Sequence, residues 1–175
     1  MKIIVSLSLG LLLFTFAGSS VLAQHRKLTV ILLRHAEKDV SEEADTANPG
    51  LSAEGKLRAQ RLVKIINKYN PDAIYSTNYI RTRATVMPLA RSRRAMIFIY
   101  DPRNLNQMVD LIMSGKLKRI VVVGHSNTTP ELANLLIKQD KYKTLDESEY
   151  DKIWVIKIKR NKRKPNKIRE KVITY

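Results

Sequence analysis

The chain has 175 residues, and its 32 Lys and Arg against 16 Asp and Glu give a formal net charge of +16 at neutral pH. It contains no cysteine, which excludes disulfides, thiolate zinc sites and a cysteine nucleophile. The length suits a single domain with a sizeable core, and the basic balance favours anionic partners such as polyanions or an envelope surface.

Residues 1–23 have the pattern of a secretory signal peptide: a basic start, an apolar run over residues 3–17, and small residues before the cleavage position. We expect cleavage after residue 23, which leaves 152 of the 175 residues as one domain over 24–175, with a net charge of +15. The apolar run is shorter than the roughly 20 residues a span needs, so we expect no transmembrane span in the mature chain. The predicted location is outside the cytoplasm, in a bacterial periplasm or the extracellular space.

Strand and helix patterns alternate along the mature chain. We predict strands at 28–33, 73–76, 96–100, 119–123 and 153–158, the last pairing with 168–174. We predict helices at 52–69, with Ser52 as N-cap, and at 81–91, 104–113 and 129–138. Alternation of this kind predicts an α/β fold, a three-layer sandwich in which helices flank a mainly parallel sheet.

Two of the three histidines follow directly on apolar strands. Arg34-His35 ends the first strand, and Gly124-His125 ends the fourth. Because the carboxyl ends of parallel strands form the ligand crevice of an open α/β sheet, we expect both histidines to line one anion pocket.

Such a pocket suits phosphoryl transfer. A neutral imidazole at His35 could attack phosphorus and form a phosphohistidine. Arginine binds phosphate with two parallel N–H groups, and Arg34 and the segment 77–85 supply this side chain. His125 could bond a phosphoryl oxygen, and the helix that begins near Thr129-Pro130 would direct backbone amides to the same place.

Four motifs occur in a specific order: L-R-H-A-E-K at 33–38, G-L-S-A-E-G at 50–55, Y-S-T-N-Y-I-R-T-R-A-T at 75–85 and G-H-S-N-T at 124–128. In this order and at this spacing they resemble the histidine phosphatase superfamily, which has the phosphoglycerate-mutase-like fold. The resemblance covers residues 28–156, and it implies a phosphatase with that α/β fold.

The resemblance also implies residue roles. His35 would be the phospho-accepting nucleophile and His125 the second pocket histidine, while Arg34 and Arg81 would clamp the phosphate. Arg81 fits the family's spacing of a small residue, an arginine and threonines, whereas Arg83 is expected on the helix surface.

The general acid that protonates the leaving group stays open between two carboxylates. Asp101 lies where the mutase-like branch carries its donor, although it could equally be a turn residue before Pro102. Glu37 is the alternative, and it could instead form an ion pair with Lys38. Ser126, a candidate phosphate ligand, stands where the acid-phosphatase and phytase branch carries an aspartate donor, so that branch is disfavoured.

The sequence therefore predicts an exported phosphomonoesterase that needs no metal or cofactor and acts on a phosphorylated small molecule or a phosphoprotein. The alternative is a catalytically weak phosphatase-fold module that binds anionic polymers or envelope phosphates. The basic C-terminal tail favours it, since nine Lys and Arg but only one acid follow residue 152. Nucleic acid is not an expected partner, because the sequence shows no reader helix and no aromatic stacking motif.

Overall fold

A computed structural model describes residues 27–161 and 164–175. The predicted signal peptide, its cleavage position and His25 lie outside the described residues. Within them, no helix is long and apolar enough to cross a bilayer.

Six strands form one mixed sheet in the order β3-β2-β4-β1-β5-β6. They are β1 (Lys27–Arg34), β2 (Ala73–Ser76), β3 (Ile97–Ile99), β4 (Arg119–Gly124), β5 (Lys152–Lys159) and β6 (Lys167–Thr174). Strands β1 to β4 are parallel, whereas β5 runs antiparallel to β1 and β6 antiparallel to β5. The α/β architecture is confirmed, with the difference that the last two strands make the sheet mixed. The segment between β5 and β6 is too short for the crossover that a parallel pair needs.

Four helices cover the two faces of the sheet. They are α1 (Ala53–Asn67), α2 (Ile80–Arg93), α3 (Leu105–Met113) and α4 (Thr128–Ile137). Helices α1 and α2 pack on one face and α3 and α4 on the other, each pair closing its own apolar core. Strand β1 contributes side chains to both cores because successive residues point to opposite faces of the sheet. Val30 and Leu32 pack in the core under α3 and α4, and Ile31 and Leu33 pack in the core under α1 and α2.

Local chemistry sets the helix ends. The Ser52 side chain accepts a hydrogen bond from the Gly55 amide, which makes it the N-cap of α1, as expected. Helix α4 begins one residue earlier than expected, with Asn127 at the N-cap and Pro130 inside the first turn. Proline is tolerated there because the first amides of a helix have no partner within the helix. Helix α4 therefore starts directly at the His125 loop.

Candidate active site

The two histidine loops lie side by side at the carboxyl end of the sheet. Strands β1 and β4 are neighbours, with Arg34 paired to Gly124, and the His35 amide donates to the Gly124 carbonyl at 3.0 Å. The imidazole rings of His35 and His125 are 5.5 Å apart between centroids, in an edge-to-face arrangement. Both rings can therefore contact one phosphoryl group.

The His35 ring is held in one tautomer. Its Nδ1 lies 2.7 Å from the Ala36 carbonyl oxygen, which can only accept, so Nδ1 carries the proton and Nε2 carries the lone pair. Burial lowers the pKa of His35 to about 3, helped by the nearby charges of Arg81 and Arg34 and opposed by the Ala36 hydrogen bond. At neutral pH the ring is thus uncharged, with a nucleophilic nitrogen.

Arg34 is buried and fixed by its neighbours, with only 1% of its surface exposed. Its Nη1 donates to three backbone carbonyls in the loop before β5, those of Asp146, Glu147 and Glu149, at 2.7, 3.3 and 3.1 Å. Its Nη2 forms an ion pair with the Glu147 carboxylate at 3.2 Å, and its guanidinium stacks on Tyr150. This arginine therefore ties a distant loop to the end of β1.

Arg81 faces the nucleophile from the start of α2. Its Nε donates to Nε2 of His35 at 3.2 Å, and its guanidinium stacks on the Tyr79 ring, whose centroid lies 4.7 Å away. Its two terminal nitrogens make no hydrogen bond to any part of the chain that the structure describes. They are free to bind oxygens of a phosphoryl group placed on His35.

Threonines of the third motif build the support of the site. Thr85 accepts a hydrogen bond from the Ala36 amide at 2.9 Å, which fixes the loop after the nucleophile. The Thr82 hydroxyl donates its proton to backbone carbonyls, so its oxygen accepts a hydrogen bond from the Thr77 hydroxyl. Because the Thr77 proton is used in this bond, the Thr77 oxygen accepts from Nε2–H of His125 at 3.0 Å. Both Thr82 and Thr85 are fully buried. The motif therefore combines one anion-binding arginine with residues that orient both histidines.

The second pocket histidine is also uncharged. Burial lowers the pKa of His125 to about 4, with further contributions from Arg81 and Arg34. Its ring packs edge-on against Tyr79, at 4.9 Å between centroids. A neutral His125 has a single N–H, which bonds Thr77 in the free site and can be shared with a phosphoryl oxygen. Because its pKa is so low, the protonated imidazolium is scarcely populated at neutral pH, so this ring does not serve as the general acid.

The two carboxylates predicted as general acids both lie in ion pairs outside the lining of the cleft. Glu37 binds Arg58 through both oxygens at 2.6 to 2.9 Å, rather than Lys38. Partial burial opposes ionisation of Glu37, but the bonds from Arg58 prevail and lower its pKa. Asp101 is exposed and binds Arg103, which lowers its pKa. Both carboxylates are therefore ionised at neutral pH.

Gly55 explains the G-L-S-A-E-G motif. A Cβ atom on this residue would lie 2.3 Å from the Glu37 carbonyl oxygen, so only glycine lets α1 approach the loop that follows His35. The Ser52 amide also donates to the Glu37 carbonyl, at 3.0 Å. The motif is a packing element that holds the nucleophile loop.

The histidines open into a cleft of about 680 Å³. Its lining contains the predicted residues Arg34, His35, Arg81, His125 and Ser126. It also contains residues for which the sequence predicted no role in the site: Lys38, Tyr79, Arg103, Asn104, Asn127, Glu131 and Glu147. Glu147 is the main addition, because its carboxylate also binds Lys38 at 3.3 Å and the Ser126 hydroxyl at 3.5 Å. It belongs to none of the four motifs, so only the fold brings it to the site.

No group of three or more His, Asp or Glu side chains within 27–161 and 164–175 is arranged to hold a metal ion. Side chains, above all Arg34 and Arg81, bring positive charge to the cleft. Helix α4 adds the positive end of its dipole, since it begins at the cleft and Asn127 makes no side-chain cap.

Comparisons with known proteins agree with this geometry. Residues 30–106 match the family model described as histidine phosphatase superfamily, branch 1. No curated protein matches the chain.

Solved structures share the fold. SixA from Agrobacterium tumefaciens is 21% identical with a TM-score of 0.57, over 74% of this chain and 90% of that one. The protein histidine phosphatase SixA complexed with tungstate is 9% identical with a TM-score of 0.61, over 84% and 97%. Mycobacterial glucosyl-3-phosphoglycerate phosphatase Rv2419c is 13% identical with a TM-score of 0.59, over 76% and 91%. With the family match over residues 30–106 and this shared fold, the chain is similar to the histidine phosphatase superfamily in sequence and in fold, which supports a phosphatase enzyme.

Proposed function

We propose that the chain is an exported, metal-independent phosphomonoesterase that works through a phosphohistidine at Nε2 of His35. The observation that carries this proposal is the fixed tautomer of His35. A proton on Nδ1 leaves the Nε2 lone pair directed at Arg81, whose terminal nitrogens are free to bind phosphoryl oxygens. An anion-binding module would not need an uncharged nucleophile in that position.

In the first step, the Nε2 lone pair of His35 attacks phosphorus, and the bond from phosphorus to the leaving oxygen breaks. Arg81 and His125 bind the equatorial oxygens, while buried Arg34 supplies positive charge from the end of β1. In the second step, water attacks phosphorus, the P–N bond breaks, and inorganic phosphate leaves with the lone pair restored on Nε2. Because arginines neutralise the transferred group, this reaction needs no metal.

The leaving oxygen needs a proton, and Glu147 is the carboxylate that we propose as its donor. Slight burial opposes its ionisation in the free enzyme, but Arg34 and Lys38 prevail and lower its pKa. A phosphate dianion bound beside Arg34 would raise that pKa, since like charges disfavour ionisation. Glu147 would then give its proton to the leaving oxygen and take one from water in the second step.

The substrate class is proposed from the open cleft together with the structural relatives. The structural relatives include a protein histidine phosphatase and a glucosyl-3-phosphoglycerate phosphatase. We propose a phosphorylated small molecule or a phosphoprotein as the substrate of this chain too. Tungstate, an oxyanion of phosphate-like shape, was bound to one relative, and we expect it to inhibit this enzyme.

Export is proposed from the N-terminal sequence alone. The apolar run over 3–17 and the small residues before position 24 are typical of a cleaved signal. Mass measurement of the protein recovered from the medium or periplasm tests this, since a chain that starts at Gln24 supports export and an intact Met1 in the cytoplasm contradicts it.

The reaction is tested with an aryl phosphate, with and without EDTA, for the wild-type chain and for His35→Ala. We expect EDTA-resistant turnover that His35→Ala lowers by at least about 10⁴-fold. Acid-labile ³²P retained on the wild-type protein after quenching, and absent from the variant, would identify the phosphohistidine. An inactive wild-type chain that binds polyanions tightly would instead support the alternative, a phosphatase-fold binding module.

The donor is tested by comparing leaving groups. We expect Glu147→Gln to lower kcat about 10- to 100-fold for an alkyl phosphate but only a few-fold for p-nitrophenyl phosphate, whose leaving group needs no proton. Asp101→Asn is the matched control, because its carboxylate binds Arg103 and does not line the cleft. A selective loss in Asp101→Asn and none in Glu147→Gln would assign the acid to Asp101.

A further inference from the structure

One corner of the sheet carries a surface that the phosphatase reaction does not use. Alternate residues of β1, β5 and β6 place six cations on the same face: Lys27, Lys157, Lys159, Lys167, Arg169 and Lys171. All six are exposed. We call this surface the basic sheet face.

The strand register packs these cations closely. Lys27, Lys159 and Lys167 are direct cross-strand neighbours in one row, and Lys157 and Arg169 are neighbours in the next. Adjacent strands lie about 4.8 Å apart and alternate residues of one strand about 7 Å apart, so the six charges share a patch of roughly 10 by 14 Å.

Nothing within the described chain neutralises the patch. None of the six side chains forms an ion pair or a hydrogen bond with another described residue. Glu170, the one acid after residue 152, lies on the opposite face of β6 and binds Lys141 at 2.6 Å. Like charges directly opposite each other destabilise a sheet, so this arrangement does not serve the fold.

We propose that the basic sheet face binds the headgroups of an anionic lipid surface. The patch spans three adjacent strands and is as broad as it is long to within a few ångström, which fits a planar array of charges better than a single strand of polymer. It contains no aromatic side chain among its described residues, whereas proteins that bind single-stranded nucleic acid use aromatic rings to stack bases.

Two further observations fit this partner. A shallow depression of about 450 Å³ between the ends of β1, β5 and β6 is lined by five of the six cations and can receive a headgroup phosphate. The apolar run over 3–17 precedes Lys27 by only nine residues, so before any cleavage a membrane-inserted signal would hold this corner of the domain near the lipid.

Binding at this face leaves the active site accessible. The row of Lys27, Lys159 and Lys167 lies at the amino end of β1, about 23 Å along the strand from Arg34, and Lys171, at the level of Ile31, lies about 10 Å from Arg34 along the strand direction. Lipid binding would therefore localise the enzyme without blocking the cleft.

The test is co-sedimentation of the purified full chain with phosphatidylcholine vesicles, with or without roughly 30% phosphatidylglycerol. We expect binding that depends on the anionic lipid and falls steeply with salt, since about a factor of five comes from each basic residue near an anionic surface. The triple variant Lys157→Gln/Lys159→Gln/Lys167→Gln should lose about 100-fold in affinity. Its aryl phosphatase activity should be unchanged, so failure of this proposal is distinguishable from failure of the proposed function.

The matched control is Lys56→Gln/Lys116→Gln/Lys143→Gln, which removes the same charge from exposed lysines elsewhere. It should keep nearly all of the binding. Equal loss in both variants would overturn the proposal in favour of net charge alone, and equal binding to neutral vesicles would assign it to the apolar N-terminal segment. Tighter binding to a single-stranded oligonucleotide, or full displacement by millimolar inorganic phosphate, would overturn the choice of a lipid surface.

Discussion

The two ends of β1 use positive charge in opposite ways. At the carboxyl end, Arg34 is buried and bonded to three carbonyls, and Arg81 is stacked on Tyr79 and bonded to His35. At the amino end, Lys27 and Lys159 are exposed and lie opposite each other without an acid.

The arginines at the carboxyl end are held in a fixed geometry, whereas the lysines at the amino end contribute only an electrostatic field. A guanidinium fixed by several partners loses little freedom when phosphate binds, so its energy can stabilise one transition state. Exposed lysines keep their rotamer freedom and are screened by salt, so they attract anions without orienting them. The first arrangement suits catalysis and the second suits reversible attachment.

The largest contrast is expected between Arg34→Met and Lys159→Met. Arg34→Met should lower kcat/KM by about 10³-fold or more, because it removes charge beside the phosphate and releases the loop before β5. It should also destabilise the fold by at least about 2 kcal/mol, since the hydrogen bonds from a charged group to the loop are lost. Lys159→Met should change activity less than about twofold and stability by less than about 0.5 kcal/mol.

Steady-state kinetics and urea denaturation measure both variants. Similar effects in the two proteins would break the contrast between the ends of β1. A loss of activity in Arg34→Met with no change in stability would show that the loop is held by other contacts.

A pH titration should sharpen the same contrast, because only the carboxyl end holds buried histidines. Burial lowers the pKa of His35 to about 3 and that of His125 to about 4, whereas unfolded histidine titrates near pH 6.5. The unfolded state therefore binds more protons below about pH 6.5, and stability should fall from there until the folded pKa values are reached. Between about pH 7 and pH 5 we expect a loss of about 2 kcal/mol from His35 and less from His125, which solvent partly screens.

Urea denaturation at several pH values, with NMR titration of the imidazole protons, checks this expectation. His35→Asn should remove about half or more of the pH dependence. A folded-state titration of His35 near its ordinary pKa of about 6.5 would show that the nucleophile is charged in mild acid and would contradict its neutral role.

A third prediction concerns packing near the carboxyl end. Gly55→Ala should destabilise the protein by about 1 to 3 kcal/mol, because its Cβ would meet the Glu37 carbonyl at 2.3 Å. Gly50→Ala is the control, since its Cβ would only touch Ile80 at 3.9 Å. Thermal denaturation compares the two, and equal melting temperatures would mean that α1 can move away from the nucleophile loop at no cost.

Much of the fold was predictable because apolar periodicity and strand ends are local signals. The strand before His35, the N-cap at Ser52 and the pairing of β5 with β6 all agree with the sequence expectations. The closeness of His35 and His125 was predictable as well, because parallel strands end at the same edge of a sheet. The catalytic roles of these residues stay predictions.

Other features depend on contacts between distant segments. Strand β5 runs antiparallel to β1, and apolar periodicity alone does not reveal the direction of a strand. Glu147 lies in a polar loop without a motif, and contacts with residues distant in sequence, those with Arg34, Lys38 and Ser126, hold it at the cleft. The partners of Glu37 and Asp101 were equally hidden, since an ion pair depends on which arginine the fold places nearby.

The bonds from Arg34 to the loop before β5 have a consequence for how such a cleft can diversify. The three acceptors of Nη1 are backbone carbonyls, which every residue type carries, so these bonds do not depend on the side chains of positions 146, 147 and 149. Only the ion pair of Nη2 uses a side chain of the loop, that of Glu147. One wall of the cleft can therefore change its chemistry while its support stays constant. Structures only 9% to 21% identical to this chain can then share its fold while differing in the surface that each offers to a substrate.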